Sequence, residues 1–193
     1  MLNEKTKPDA SSRFQDSLPM SSDKLMGQLD EWGIIYKCYS HVPLGTVDDA
    51  KLVQNQFLDK DKAGGHIKNL YLRDHKKNDI LLVVEQDCII DLKKLKNNLG
   101  MGRLSFGSPA RLFENLGVRP GAVTPFSMIT GVNKGVKLFL DFELSACLEI
   151  YAHPLVNDRT LEISMENLLK FFEKIGVIPN WINFLRTEDT NKS

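Results

Sequence analysis

Three short stretches of this chain bring together residue types that can do chemistry: GGHIKN at 64–69, RPGAVTP at 119–125 and YAHPLVND at 151–158. Read as a strand, Gly64 to Asp74 alternates, with Ile67, Asn69 and Tyr71 on one side and Lys68, Leu70 and Leu72 on the other. That spacing sets the Lys68 ammonium among apolar neighbours, where an unpaired charge is costly. The position therefore needs an anionic partner or an opening to water. Two readings stay open: an edge lysine that snorkels to solvent, or a strand lysine that grips a phosphate or carboxylate at a pocket mouth. Asn69 points away from Lys68, so its side chain is structural unless twist or a bulge reorients it.

In GAVTP, Gly121 and Pro125 bracket Ala122 and two further residues. Glycine lets backbone approach a ligand closely and proline fixes the exit of the turn, so the loop can offer N–H groups to a carbonyl oxygen or a ribose hydroxyl. The bland alternative is a turn after a helix. His153 ends an apolar strand just before Pro154 and reads either as a hydrogen-bonded loop anchor or as a group facing a substrate. His41 has a similar setting before Val42-Pro43, while His66 and His75 look like strand-end or loop residues. Lys93, Lys94, Lys96 and Arg103 form a small basic patch, either a solvated helix face or a surface for phosphates.

Other chemistries find no support in the motifs. No serine elbow, phosphate-binding P-loop, dinucleotide glycine motif or HExxH is present. Cys38, Cys88 and Cys147 are widely spaced, with no CxxC or Cys/His pattern, so neither a metal nor another cofactor is expected. All three lie in apolar stretches and are expected to be buried free thiols in a reducing cytoplasm. Twenty-five Lys+Arg against 25 Asp+Glu leave no net charge. That argues against coating long nucleic acid through a global field, but not against gripping a short nucleic-acid end with a few local cations. No apolar run long enough to span a membrane is present, and MLNEKTKPDASSRFQDSLP lacks a signal-peptide core.

The elements that must position these stretches lie in a chain of 193 residues, a length that fits one domain. The expected division is a flexible N-terminal extension at 1–20, the domain at 21–185 and a polar tail at 186–193. SSDKLMGQLDEWG predicts a helix, IIYKCYSH a strand, and TVDDAKLVQNQFL a second helix opened by a Thr46/Asp49 capping box. HIKNLYLRD and DILLVVEQ, joined by HKKN, predict an antiparallel hairpin. DLKKLKNNLG predicts a helix, RLSF a short strand, and SPARLFENLG a helix with Ser108 at N-cap, Pro109 at N1 and Gly117 past its end. VKLFLDFEL and CLEIYAH predict two more strands, and SMENLLKFFEKIG a closing helix. The mixture lacks strict βαβ alternation. It predicts an α+β fold with a mixed, largely antiparallel sheet or partly closed barrel and packed helices.

Taken together, GGHIKNLYLRD, RLSFGSP, LGVRPGAVTPF and YAHPLVNDRT resemble the YbaK/prolyl-tRNA editing superfamily, in that family's order and spacing. They look closest to its free-standing branch, the prolyl-tRNA synthetase-associated domain proteins, over about Ser22 to Pro179. The resemblance implies a cytoplasmic hydrolase that cuts the ester between a wrongly attached small amino acid, alanine first, and the 3′ end of tRNA(Pro). Prolyl-tRNA synthetase is an implied partner and a membrane is not. By the same resemblance Lys68 anchors the terminal phosphate, Gly121 and its loop hold ribose or ester oxygens, and His153 lies near the aminoacyl group. Asn69, Ala122, Pro125 and Asn157 are implied substrate contacts, and the helix-cap residues Ser108 and Thr46 are further candidates. Water would attack the ester carbonyl with help from the substrate's own ribose hydroxyl, so no protein nucleophile is required. The chain departs from the family in HVPLGT, where Val42 replaces a proline and Gly45 a bulkier residue, which widens the acyl pocket if that segment lines it. The alternatives are deacylation of another small aminoacyl group (serine, cysteine), a non-catalytic sensor of tRNA or amino acid on the same fold, and a structural domain docked on a synthetase.

Overall fold

The computed structural model describes residues 7–44, 51 and 64–183 of the chain. Among these residues eight strands form one mixed sheet, and the long strand β2 (Gly64–Asp74) is its hub. The tight turn at 75–78 returns the chain into β3 (Asp79–Glu85), antiparallel to β2 with Lys68 opposite Val84 and Asn69 opposite Val83. The register from Ile67–Glu85 to Arg73–Asp79 is unbroken. No bulge turns Asn69 toward the Lys68 face.

The remaining strands build outward from this hairpin. β1 (Tyr36–Ser40) is an edge strand, and the order runs β1-β7-β6-β2-β3-β5-β8. Here β5 is Lys137–Asp141, β6 Glu149–Ala152, β7 Arg159–Ser164 and β8 Asn180–Ile182. The short β4 (Leu104–Phe106) pairs with the far end of β2, Leu72 opposite Phe106. Pairs β2/β6, β3/β5 and β5/β8 are parallel and the others antiparallel. The mixed α+β architecture expected from the sequence is the one observed.

Two apolar clusters occupy opposite faces of the β2/β3 hairpin. The larger joins Tyr71, Leu81 and Val83 to α1 (Ser22–Glu31), α3 (Pro109–Leu116), the short α4 (Met128–Gly131) and α5 (Met165–Lys174) through Leu25, Leu29, Leu112, Leu116, Met128, Phe171 and Phe172. Phe126 lies edge-on against Phe171 at 5.1 Å between ring centroids, in the favoured aromatic arrangement. The smaller cluster joins Leu72, Ile80, Leu82 and Val84 to Leu95 of α2 (Leu92–Asn98) and to Leu104. Strand alternation makes this two-sided burial possible, because each successive residue of β3 feeds one cluster or the other.

The helix ends follow the local chemistry. Ser108 Oγ accepts the Arg111 N–H, Pro109 occupies the first turn, and Gly117 closes α3 at φ 68°, a conformation that favours glycine. Ser164 caps α5 in the same way, accepting from Asn167 N at 3.1 Å.

Some expectations need correction. The cysteines are not buried: Cys38 is exposed and Cys88 and Cys147 are half-buried. Cys38 lies on an edge strand with β7 as its sheet neighbour, so one face of its apolar stretch meets solvent. The N-terminal segment expected to be flexible is docked over part of its length. Ala10 and Leu18 are buried, Ser12 hydrogen-bonds the Asp158 carboxylate, and Asn157 N donates to Ala10 O. No apolar periodicity announces this, because polar groups make the attachment. Strand β7 is one that no sequence signal announces; its Thr160 and Glu162 are polar yet buried, and Glu162 accepts from Lys37 Nζ and Tyr39 Oη. The helix expected from Thr46 and the tail at 186–193 lie outside the described residues.

Candidate active site

Lys68 sits on the β2 face that also carries Leu70 and Leu72, as the alternation predicts, and is half-buried. Its ammonium donates to the main-chain carbonyl of Cys88, in the turn after β3. Among the described residues no carboxylate lies within ion-pair distance of it. A carbonyl satisfies one donor and leaves the unit charge in place.

Between β6, which pairs with Gly64–His66, and β4, which pairs with Leu72–Asp74, one edge of β2 carries no strand among the described residues. This opening runs past Lys68 and Asn69. His66 marks one end and stacks on Tyr151 at 4.8 Å. Asn69 faces the side of Tyr71 and Val83, and its Oδ1 is buried without a hydrogen-bond partner. A buried acceptor left unpaired costs about 1–3 kcal/mol, so a donor arriving from outside the protein would relieve it.

The 119–125 segment is a loop that tightens into a 3₁₀ turn at Pro125–Ser127. Gly121 has φ 92°, where a side chain would be strained. Ala122 is fully buried and donates to Arg119 O at 3.0 Å; Pro125 is buried, and Thr124 Oγ1 accepts from Phe126 N. The loop is held rigidly by its own bonds, and Val123 and Phe126 root it in the larger cluster.

His153 Nδ1 lies 2.7 Å from the Arg159 carbonyl. A carbonyl only accepts, so Nδ1 carries the proton and Nε2 presents a lone pair. Burial pushes the His153 pKa down from its ordinary 6.5, outweighing the bond to Arg159, so the neutral ring is favoured. The His41 ring stands 5.9 Å away, with its Nε2 2.8 Å from Thr160 Oγ1. Asn157 is a structural tie: its Nδ2 donates to Leu44 O at 2.8 Å, Leu44 N donates back to Asn157 O, and its Oδ1 is buried and unpaired. The 153–158 loop is thereby fastened to residues 41–44 and to the N-terminal segment.

The sequence-predicted residues thus fall into groups. Lys68 and Asn69 share a strand but opposite faces, while Gly121, Ala122 and Pro125 share the anchored loop. His153 and Asn157 share the loop pinned by Leu44 and Arg159. Ser108 Oγ is occupied as a helix cap, and Thr46 and Gly45 lie outside the described residues. Val42 is exposed. Sequence reading missed Asp141, buried at the end of β5, where its carboxylate accepts from Glu143 N at 3.2 Å. Burial raises its pKa, and its charge reaches Cys88, the residue whose carbonyl holds Lys68. Only its place after the alternating Lys137–Leu140 run hinted at it. No cluster of metal-ligating side chains occurs among the described residues, and no helix among them is long and apolar enough to cross a membrane.

The α+β fold thus carries a strand cation bonded to a neutral carbonyl, an anchored glycine–proline loop and a neutral histidine. Residues 46–171 match the aminoacyl-tRNA editing domain family, and the chain belongs to that family. It is 32% identical over 153 residues to the prolyl-tRNA editing protein ProX of Acetoanaerobium sticklandii, a match covering 79% of this chain and 90% of that protein. It is also 38% identical over 129 residues to prolyl-tRNA synthetase associated domain-containing protein 1 of Bos taurus, covering 63% and 73% respectively. The fold matches a crystal structure of a candidate trans-editing enzyme for prolyl-tRNA synthetase, with a TM-score of 0.62 and 21% identity over 83% of this chain and 95% of that one.

Proposed function

We propose that this protein is a free-standing hydrolase that deacylates mischarged tRNA(Pro), with alanine as the preferred acyl group. The observation that carries the reading is Lys68, a half-buried ammonium whose bonded partner is a neutral carbonyl. Its charge is available to a phosphate at the 3′ end of an RNA, where a compact ammonium acts as a point charge. Relatedness to ProX supports the substrate class.

In this reading a water molecule attacks the ester carbonyl. The bond between the acyl carbon and the ribose oxygen breaks, one proton of the water passes to the ribose oxygen to make a hydroxyl, and the amino acid leaves as its carboxylate with the other proton released to solvent. Lys68 positions the terminal nucleotide. The rigid 121–125 loop supplies backbone dipoles to the ester or ribose oxygens, and the Nε2 lone pair of His153 accepts from the substrate's ammonium or hydroxyl. Asn69 Oδ1 gains a donor on binding. The rate gain comes from orientation and preorganised dipoles, without a protein nucleophile.

Discrimination is steric. Alanine is smaller than proline, so a pocket can refuse the correct amino acid and admit the wrong one, which a synthetase pocket does with difficulty. A cytoplasmic site beside prolyl-tRNA synthetase belongs to the same proposal. Incubation of the purified protein with a panel of tRNA(Pro) charged with alanine, serine, cysteine or proline tests it: alanine is released fastest and proline is spared. Tight tRNA binding without release of any acyl group would instead favour the sensor reading.

A further inference from the structure

Phe106 is a large apolar side chain on the Lys68 face that stands 63% exposed. It pairs across the sheet with Leu72, and Leu72 lies four residues from Lys68 on the same face, about 13 Å along the strand. Beyond Leu72 the hairpin turn carries Lys76 and Lys77. The His75 ring packs so closely on Gly102 that Arg103 must lie beside that turn. α2, seated on the same face through Leu95, adds Lys93, Lys94 and Lys96. None of these six cations forms an ion pair among the described residues. The Lys68 ammonium, the exposed Phe106 ring and these six cations belong to the end and face of the hairpin on which α2 is seated.

We infer that Phe106 is a stacking platform for the unpaired bases next to the terminal nucleotide of the RNA substrate, and that the cations beyond it meet the phosphates of the adjoining duplex. The inference rests on the proposed function and deepens it. An aromatic face accepts any base and a basic surface accepts any backbone, so this surface supplies affinity rather than sequence readout. An apolar protein partner would not match the flanking charge. An exposed ring flanked by the lysines of the 75–78 turn and of α2 suits a polyanion.

The test uses the full chain with Phe106→Ala and Phe106→Trp, two substitutions at an exposed position that leave melting temperature unchanged. Binding of a single-stranded oligonucleotide ending in CCA is measured by anisotropy, alongside the KM and kcat for deacylation of charged tRNA(Pro). Phe106→Ala weakens oligonucleotide binding and raises KM by about tenfold with kcat unchanged, whereas Phe106→Trp retains both and its fluorescence is quenched by the RNA. A blunt RNA hairpin without the unpaired tail binds wild type and Phe106→Ala equally. Lys93→Gln with Lys94→Gln reduces the slope of log affinity against log salt for tailed tRNA by up to about 2.

Unchanged affinity and KM in Phe106→Ala, with wild type active, overturns the platform and leaves the proposed function standing. A concentration-dependent dimer that Phe106→Ala dissolves overturns it as well, in favour of a contact between copies. If wild type releases no acyl group from any charged tRNA, the proposed function fails; tail-dependent, Phe106-dependent oligonucleotide binding would then support the platform by itself.

Discussion

The Lys68 ammonium and the Cys88 main-chain carbonyl form a hydrogen bond that holds the cation without neutralising it. That geometry keeps the side chain aimed along one face of β2 while its charge remains available. Replacing Lys68 with Met preserves length and apolar contact and removes the charge. Deacylation of Ala-tRNA(Pro) should fall about 100-fold or more, in line with the loss of one preorganised electrostatic group. The melting temperature should stay near that of wild type. Equal rates in the two proteins would make the lysine structural.

His153 predicts a dependence on pH. Its folded pKa is lowered from 6.5, chiefly by burial, and that of His66 is lowered by the same cause. The unfolded chain therefore binds more protons on the acid side of 6.5, and stability is lost as pH falls through that value toward the folded ones. Melting temperature measured between pH 7.5 and 5 should drop across this window. His153→Gln, which retains a donor for the Arg159 carbonyl, should flatten part of the drop. The same variant should lose the acid-side decline in deacylation that follows from protonating Nε2.

Asn157 predicts the opposite split. Its amide is spent on the Leu44 carbonyl at 2.8 Å, so Asn157→Ala should cost about 1–2 kcal/mol of stability. That corresponds to roughly 2–8 °C in melting temperature. Below the transition kcat should hold within a few-fold, and limited proteolysis should cut more readily near residues 41–44. A large loss of kcat in a stably folded variant would instead assign Asn157 a direct contact with substrate.

Two glycines give a paired prediction. A Cβ on Gly107 would lie 2.1 Å from the Tyr71 ring, and that ring is buried, with its hydroxyl bonded to Asp79 at 2.7 Å and to Asn115 at 2.7 Å. The ring cannot yield without breaking those bonds, so Gly107→Ala should destabilise by about 1–3 kcal/mol. A Cβ on Gly102 would lie 1.8 Å from the His75 ring, but that side chain is exposed and can rotate away. Gly102→Ala should be nearly neutral. Denaturant midpoints of the two variants compare them directly.

Much of the fold is legible in local signals. The Ser108–Pro109–Gly117 helix, the HKKN hairpin and the placement of Lys68 follow from caps, turn residues and period-two alternation. Strand β7 leaves no local signal because its Thr160 and Glu162 are buried beside β1 and satisfied from there, Thr160 by His41 and Glu162 by Lys37 and Tyr39, all more than a hundred residues away in sequence. The docking of residues 10–18 is hidden for the same reason, since Ser12 finds its partner in Asp158. At the candidate site, residue types and motif order are what single out Lys68, Gly121 and His153 as candidates. The spent amide of Asn157 and the buried carboxylate of Asp141 depend on tertiary partners that no periodicity encodes.

Release of the acyl group tests the central claim most directly. Purified protein is mixed with Ala-tRNA(Pro) and, in parallel, with Pro-tRNA(Pro), and the remaining ester is followed over time. The account predicts multiple-turnover loss of alanine with proline retained. Alanine that stays attached even at enzyme concentrations approaching that of the tRNA would contradict it.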